Sequence, residues 1–337
     1  VALLAGGVGG IAGAAIADSD GGGLGSSASG ASTTPVATAI PPIEGDAAEP
    51  AAAVAAALSP AVVQIETQTG LGSGFVYDAE GLILTASHVV DGSSTVQVRL
   101  ADGSRVAGEV VGEDPSTDVA VVRIDGDDVP AVATLATGVD VQVGQLAVAI
   151  GSPFGLDQTV TAGIVSAVGR SAQTPGGVIP AIQTDAPINT GNSGGALADR
   201  QGRVIGINDS IITGGQGSTG NVGVGFAIPI DIAKAVADKI VAGEPTTPGF
   251  LGIEGADATG SRAGAAITAI EPGSPADEAG LTTDDVVTEV DGSGVSSMID
   301  LAAAIRTRQP GDELVLTVVR DGAEREVRVV LGAAQSN

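Results

Sequence analysis

Three residues far apart in this chain are of the types that together activate a hydroxyl: His88 in LTASHVVD, Asp118 in EDPSTDVAVVRI and Ser193 in NTGNSGGAL. His88 is the only histidine among 337 residues. Imidazole is the one side chain whose unperturbed pKa lies near neutrality, so it is the natural base for a serine hydroxyl. Each residue alone has a plainer explanation. A lone histidine is more often packed or exposed than catalytic, and an Asp entering an apolar strand makes an Asx turn. A serine between glycines is a turn residue, because glycine supplies positive φ and serine bonds locally to the backbone. Together they have complementary roles. Ser193 would attack a carbonyl carbon, His88 would take its proton, and Asp118 would hold the imidazole tautomer and stabilise the imidazolium. The glycines around Ser193 let the N–H groups of Gly191 and Ser193 converge as an oxyanion hole, each donor worth on the order of 10²–10³ in rate.

The elements that must position these groups are short and β-rich. VVQIETQ, GSGFVY, GLILTASHVV, STVQVRLADG, RVAGEVVGE, DVAVVRID, QLAVAIGSP and TVTAGIVSAVG follow in quick succession, then AIQTD, RVIGIND and GVGFAIPI. Closely spaced strands with D-G and G-S turn signals predict an all-β barrel or sandwich. A single closing helix is expected over DIAKAVADKIVAG, 231–243, with Gly243 at its end. The order His, Asp, Ser on such strands is that of the chymotrypsin-like arrangement, and differs from the subtilisin and α/β-hydrolase orders. After the hinge EPTTPGF a second unit carries strands AAITAIE, VVTEVDG, DELVLTVVRDG and EREVRVVLG, with helices at SPADEAG and SSMIDLAAAIRT. Met298, Leu301, Ala302 and Ile305 fall at i, i+3, i+4 and i+7, one apolar stripe facing a sheet.

Composition narrows the choice. Hydrophobic residues make up 43% and aromatics only 1%, so the cores must be built from Val, Ile, Leu and Ala. A net charge of -26 repels phosphate backbones and argues against nucleic-acid partners. With no cysteine, disulfides, thiolate catalysis and Cys-based zinc sites are excluded, and no cofactor or metal is expected. VALLAGGVGGIAGAAIA, 1–17, is apolar and uncharged and lacks an initiator Met. It reads as the remnant of a membrane anchor, as a signal-peptide core with Ala15-Ile16-Ala17 matching the A-x-A cleavage pattern, or as a Gly/Ala-rich tail. The first two place the remainder outside the cytoplasm, membrane-anchored or secreted. Residues 18–53, rich in Gly, Ser, Ala, Thr and Pro, read as a flexible linker.

SGFVYDAEGLILTASHVVDG, EDPSTDVAVVRID, GSPFGLDQTVTAGIVSAVGR, QTDAPINTGNSGGALADRQGRVIGIN and VGFAIPI resemble the HtrA/Deg family of trypsin-like serine proteases. FLGI, EPGSPADEAGL and VVTEVDG resemble its PDZ domain. The resemblance implies a double β-barrel protease domain at 54–243 and an α+β PDZ domain at 250–332. It further implies an ATP-independent endopeptidase of the cell envelope that degrades misfolded proteins under PDZ control, usually as a homotrimer. Ile188 and Phe226 would line an apolar specificity pocket selecting small aliphatic residues. Phe250, Leu251, Gly252 and Ile253 would cradle a peptide C-terminus beside Met298, Leu301 and Ile305. Mobile loops at 170–180 and 208–222 would assemble the oxyanion hole on demand. Asn192 stands where trypsin-like zymogens place an Asp that pairs with a new N-terminus, so activation should not need maturation by cleavage. Asp284 stands where the PDZ turn normally has glycine, and Asp can occupy a left-handed backbone at a modest penalty, so the fold is not threatened. The competing reading is a catalytically silent holdase or PDZ scaffold.

Overall fold

The structure, a computed structural model, describes residues 49–68, 70–152, 158–174, 177–189, 191–209, 223–259 and 263–333. The segment 1–17, most of the linker, Thr190 and most of the loop 208–222 lie outside the described residues. Helix α1 (Pro50–Leu58) takes in Pro50–Ala53, which composition alone placed in the linker. PAAAVAAAL is nearly all alanine, the strongest helix former, with proline in the first turn where its missing N–H costs nothing. Val54 and Leu58, at i and i+4, are buried.

The first barrel comprises β1 (Val62–Glu66), β2 (Leu71–Val76), β3 (Leu82–Thr85), β4 (Thr95–Arg99), β5 (Arg105–Asp114) and β6 (Val119–Arg123), with the one-turn helix α2 (Ser87–Val90) after β3. The second comprises β7 (Leu146–Gly151), β8 (Thr159–Thr174), β9 (Gly177–Thr184), β10 (Ala196–Ala198), β11 (Val204–Asp209) and β12 (Gly225–Pro229). Around the first the order is β1-β2-β3-β6-β5-β4, and around the second β7-β8-β9-β12-β11-β10. The two barrels are the same six-strand pattern used twice. Closure removes the open strand edges that would otherwise pair with other chains. β10 is only three residues long and went unseen in the sequence, because ALA carries no alternation.

One apolar seam joins the barrels. Phe75, Leu84, Val119 and Val121 of the first pack in a single cluster with Val148, Ile150, Ile207 and Ile228 of the second. Helix α3 (Ile230–Ala242) closes the same cluster with Ala233, Val236, Ala237 and Ile240, and stops at Gly243 in a left-handed conformation, φ 69°. Each fully buried aliphatic side chain contributes about 1.5–3 kcal/mol, so this aromatic-poor core is built by number of residues. The cleft between the barrels therefore has fixed walls.

The second unit adds β13 (Gly249–Phe250), β14 (Ile253–Asp257), β15 (Ala265–Ile270), α4 (Pro275–Glu278), β16 (Val286–Val290), β17 (Ser293–Gly294), α5 (Met298–Arg306), β18 (Glu313–Arg320), β19 (Ala323–Val330) and β20 (Gly332–Ala333). Its main sheet runs β14-β15-β16-β18-β19, and Leu301 and Ile305 of α5 sit in its core. Helix α5 also lies on the β8–β9 hairpin: Ser171 Oγ donates to Asp300, and the Arg306 guanidinium fills the space where a Cβ on Gly177 would stand.

Asp284 does not use the left-handed backbone open to it; among the described non-glycine residues only Asp91, Asp118, Asp291 and Asp321 do. Its turn is closed instead by its neighbour. Asp285 Oδ2 accepts from Thr282 N–H at 2.9 Å, and the Arg320 guanidinium donates to both Asp285 oxygens at 2.6 Å. Asp291 and Asp321 precede Gly292 and Gly322 in D-G hairpin turns, which require positive φ.

Candidate active site

The strand β3 ends at Thr85, and α2 then lifts His88 to the barrel mouth. α2 terminates at once because Asp91 (φ 45°) and Gly92 (φ 69°) are both left-handed. Asp118 arrives from the turn before β6. The Asx turn there is built by Asp114, whose Oδ1 accepts from Ser116 N–H at 3.1 Å and whose Oδ2 accepts from Thr117 Oγ1 at 2.7 Å. With Asp114 closing the turn, Asp118 is left for another partner. Its Oδ1 accepts from the backbone N–H of His88 at 2.9 Å, its Oδ2 lies 2.7 Å from His88 Nδ1, and its carbonyl accepts from Ser87 N–H at 3.1 Å. These contacts hold Asp118 at φ 57°, a conformation that costs a non-glycine residue free energy and tends to mark functional sites. Asp118 is 2% exposed and the His88 side chain 21%, so the carboxylate is enclosed while the imidazole keeps an open edge.

Ser193 lies in the loop between β9 and β10, at a sharp turn. Asn192 N–H donates to Asn189 O, Gly195 N–H to Asn192 O, and Gly194 N–H to Asn208 O. Gly191 and Gly194 have φ of 107° and 81°, so both glycines are required by the backbone. Gly194 is pressed against the first barrel: a Cβ there would stand 2.2 Å from Ser73 O, 2.4 Å from Thr85 Oγ1 and 3.1 Å from Ala86 N. The turn bearing Ser193 thus abuts the chain two residues before His88. The two barrels meet at this point, and the Ser193 turn lies against the segment that leads to His88.

Two polar residues that sequence reasoning did not single out lock the turn. Ser73, fully buried on β2, donates its N–H to Ser193 O at 2.8 Å and its Oγ to Gly191 O at 2.5 Å, while accepting from Ser152 N–H at 2.8 Å. Asn208 on β11 donates from Nδ2 to Ala196 O at 2.9 Å and to Ile150 O at 3.3 Å. Their signal was present as polar residues inside apolar strands, GSGFV and VIGIND. A buried polar group must find partners; the Ser73 hydroxyl finds one in the Ser193 turn, and the Asn208 side chain ties β7 to β10 beside it.

A second carboxylate completes the constellation. Asp209, 1% exposed at the end of β11, has a carboxylate oxygen that lies with a ring nitrogen of His88 and an oxygen of Asp118 inside a 4.8 Å span. Burial opposes charging of His88 and is the largest single influence on it. The hydrogen bond and charge of Asp118, joined by the charges of Asp209 and Asp91, outweigh that and raise its pKa above the ordinary value of 6.5. The imidazole Nδ1 is engaged by Asp118, which leaves the other ring nitrogen for a proton-accepting role and makes the cluster a proton-handling one.

The remaining predicted residues divide. Ile188 and Phe226 are buried in separate apolar clusters of the second barrel, Ile188 with Ala186 and Leu197, Phe226 with Ala172 and Ala181. Gly225, next to Phe226, packs on Ile188, where a Cβ would lie 3.1 Å from the Ile188 side chain. Asn192 is buried, and it carries an amide where an ion pair would need a carboxylate. In the second unit Phe250 and Ile253 are half-buried, Leu251 is buried, and Gly252 has φ 80°. The Gly252 carbonyl accepts from Glu271 N–H at 2.9 Å. β14 pairs with β15 along one edge, and Met298 reaches toward it, its sulfur 2.7 Å from where a Cβ of Gly255 would be. Leu301 and Ile305 face the core below.

A family model described as a trypsin-like peptidase domain matches residues 72–207, and one described as a PDZ domain matches 249–331. The chain is 44% identical over 277 residues to a probable periplasmic serine endoprotease DegP-like of Halomonas elongata, covering 79% of this chain and 57% of that protein. It thus spans little more than half the length of such DegP-like relatives. It is 38% identical over 362 residues to the serine protease PepD of Mycobacterium tuberculosis, covering 99% of this chain and 76% of that one. Among solved structures, the HtrA-type protease AlgW with a tripeptide superposes with a TM-score of 0.69 at 35% identity, covering 85% of this chain and 98% of its own.

Proposed function

The chain belongs to the HtrA/Deg family of trypsin-like serine proteases with a C-terminal PDZ domain, and from that premise we propose that it is a serine endopeptidase of the cell envelope that cleaves unfolded or misfolded proteins. The observation that carries this is the double hold of Asp118 on His88, through Nδ1 at 2.7 Å and the backbone N–H at 2.9 Å, beside the turn that presents Ser193. In the mechanism Ser193 Oγ attacks the peptide carbonyl carbon as its proton passes to the open ring nitrogen of His88. The carbonyl electron pair moves onto oxygen, facing the N–H groups of Gly191 and Ser193. Collapse expels the amine with the proton from His88, leaving an acyl-enzyme that water hydrolyses by the same route.

A holdase or scaffold would have no use for an αL aspartate aimed at an imidazole. Reaction with a fluorophosphonate separates the two readings. Labelling that Ser193→Ala removes, with unfolded casein cleaved, is expected; intact casein and labelling indifferent to that substitution would favour the scaffold.

Small aliphatic residues are the proposed preference at the cleaved bond, because Ile188 and Phe226 are apolar. The PDZ domain would take a free peptide C-terminus at Phe250–Ile253, the peptide adding as a strand beside β14 near Met298, Leu301 and Ile305. The edge position of β14 and the peptide-bound AlgW structures support this. One assay covers both. Peptides cleavable after Ala or Val should turn over faster than those with Arg or Lys, and a C-terminally free apolar peptide should change the rate where its amidated form does not. Faster turnover of basic peptides overturns the pocket, and equal effects of the two termini overturn carboxylate capture. Homotrimeric assembly and an N-terminal segment that anchors or exports the protein complete the proposal. Among the described residues no helix is long and apolar enough to cross a membrane. Sedimentation mass tests the assembly, a single-chain mass refuting the trimer.

A further inference from the structure

We propose that Asp209 is a positioning residue for the reaction, a second carboxylate beside the His88–Asp118 pair that stabilises the imidazolium formed as Ser193 is deprotonated. This deepens the protease reading and rests on it. The geometry is specific. Asp118 reaches His88 from the turn before β6 in the first barrel, and Asp209 reaches it from the end of β11 in the second. Carboxylates from the two barrels therefore come together at one imidazole, with one oxygen of each and a ring nitrogen all within 4.8 Å of one another. Both are almost wholly buried, at 2% and 1% exposure, where solvent screens charge least.

The placement of Asp209 follows from the strand. β11 reads VIGIND, with every residue buried. Asn208 binds the Ser193 turn through its backbone and the strands β7 and β10 through its side chain. The next side chain points to the other face, and that face meets the His88–Asp118 pair. The strand that fixes the nucleophile turn thereby also delivers a negative charge to the base.

The charged groups around the imidazole are acidic on every side that influences it: Asp118 before β6, Asp209 on β11 and Asp91 at the end of α2. Glu113, from the end of β5, accepts from Ser87 Oγ at 2.8 Å. Among the described residues the charges that shift His88 are all acidic. The neutral form of His88 is the one that acts as base. As the Ser193 O–H bond breaks and the Oγ–carbon bond forms, the proton joins the imidazole, and a single positive charge then faces both carboxylates. The stronger base that results is available only above a raised midpoint, so activity is withdrawn at mildly acidic pH.

Because His88 is the only histidine, its ring resonances report one titration without assignment. The experiment is an NMR pH titration of isotope-labelled imidazole in the full chain, in a Ser193→Ala background to prevent autolysis. The wild-type midpoint is expected above the ordinary value of about 6.5. Asp209→Asn should lower it by about one unit or more, the scale of a unit charge at this separation in a partly screened site. Asp209→Glu, which keeps the charge, should restore most of the shift. In the active protein Asp209→Asn should move the rising limb of kcat/KM to lower pH and reduce its alkaline plateau by about tenfold, the equivalent of one unit. Should Asp209→Asn fail to fold, Asp209→Ser carries the same test. A midpoint unmoved by removing the charge, or a wild-type midpoint below the ordinary value, overturns the proposal. Fluorophosphonate labelling of the matching proteins that retain Ser193 keeps the two readings apart. Labelling with an unmoved midpoint refutes the role of Asp209 alone, whereas a shifted midpoint without labelling refutes the protease reading and leaves the electrostatic effect of Asp209 intact.

Discussion

Ser193→Ala is expected to lower kcat on an unfolded protein substrate by about 10⁶-fold, the scale at which removing a triad nucleophile acts. The reason is chemical and local. Without Oγ no acyl-enzyme forms, and the remaining groups assist water only through substrate binding and oxyanion stabilisation, about 10³–10⁴ over the uncatalysed reaction. The backbone of the turn should survive, because Ser193 is tied into it by its carbonyl, which accepts from Ser73 N–H at 2.8 Å. The loss should thus appear in kcat with the thermal midpoint unchanged. A variant that loses less than about a hundredfold, far below the scale of a nucleophile, would place the chemistry elsewhere.

Asp118→Asn is expected to cost about 10⁴-fold in kcat/KM, the loss a wrong imidazole tautomer causes in triads of this kind. Asparagine is the informative replacement. It tolerates the left-handed backbone that Asp118 occupies, φ 57°, and its carbonyl oxygen can still accept from the N–H of His88. The amide NH₂ then faces Nδ1, which must become an acceptor, and the proton moves to the ring nitrogen that should receive one from Ser193. The charge that stabilises the imidazolium is lost as well. Fold and substrate binding should persist, so KM should change little while kcat collapses. A parallel fall in secondary structure on circular dichroism would mean that Asp118 serves the turn and the charge of His88 is incidental.

Much of this site could be read before any coordinates. Residue type and order selected His88, Asp118 and Ser193, because only imidazole titrates near neutrality and the glycines of GNSGG allow a backbone that other residues resist. Strand alternation and D-G turns marked most strands of both barrels. What escaped were elements with no periodic signal: the three-residue β10, the short pairs β13, β17 and β20, the edge strand β14, and the alanine-rich α1 that composition likened to linker. The choice between Asx turn and catalytic carboxylate for Asp118 was equally closed to sequence, since DPSTD contains two candidates. In the structure Asp114 makes that turn, and Asp118 contacts His88 instead.

By itself the sequence determined the groups available: one imidazole, a serine on a glycine turn, aromatic-poor cores and a PDZ-like second unit. Those follow from side-chain type and local periodicity, which are properties of neighbours along the chain. Only the tertiary structure decided which groups meet. It seats the Ser193 turn on Ser73 and Thr85, aims Asp118 at His88, and brings Asp209 from the second barrel to the base held by the first. The physical reason is that these contacts form where two closed barrels share one apolar seam. Their partners lie dozens of residues apart, so no local pattern encodes the distance between them.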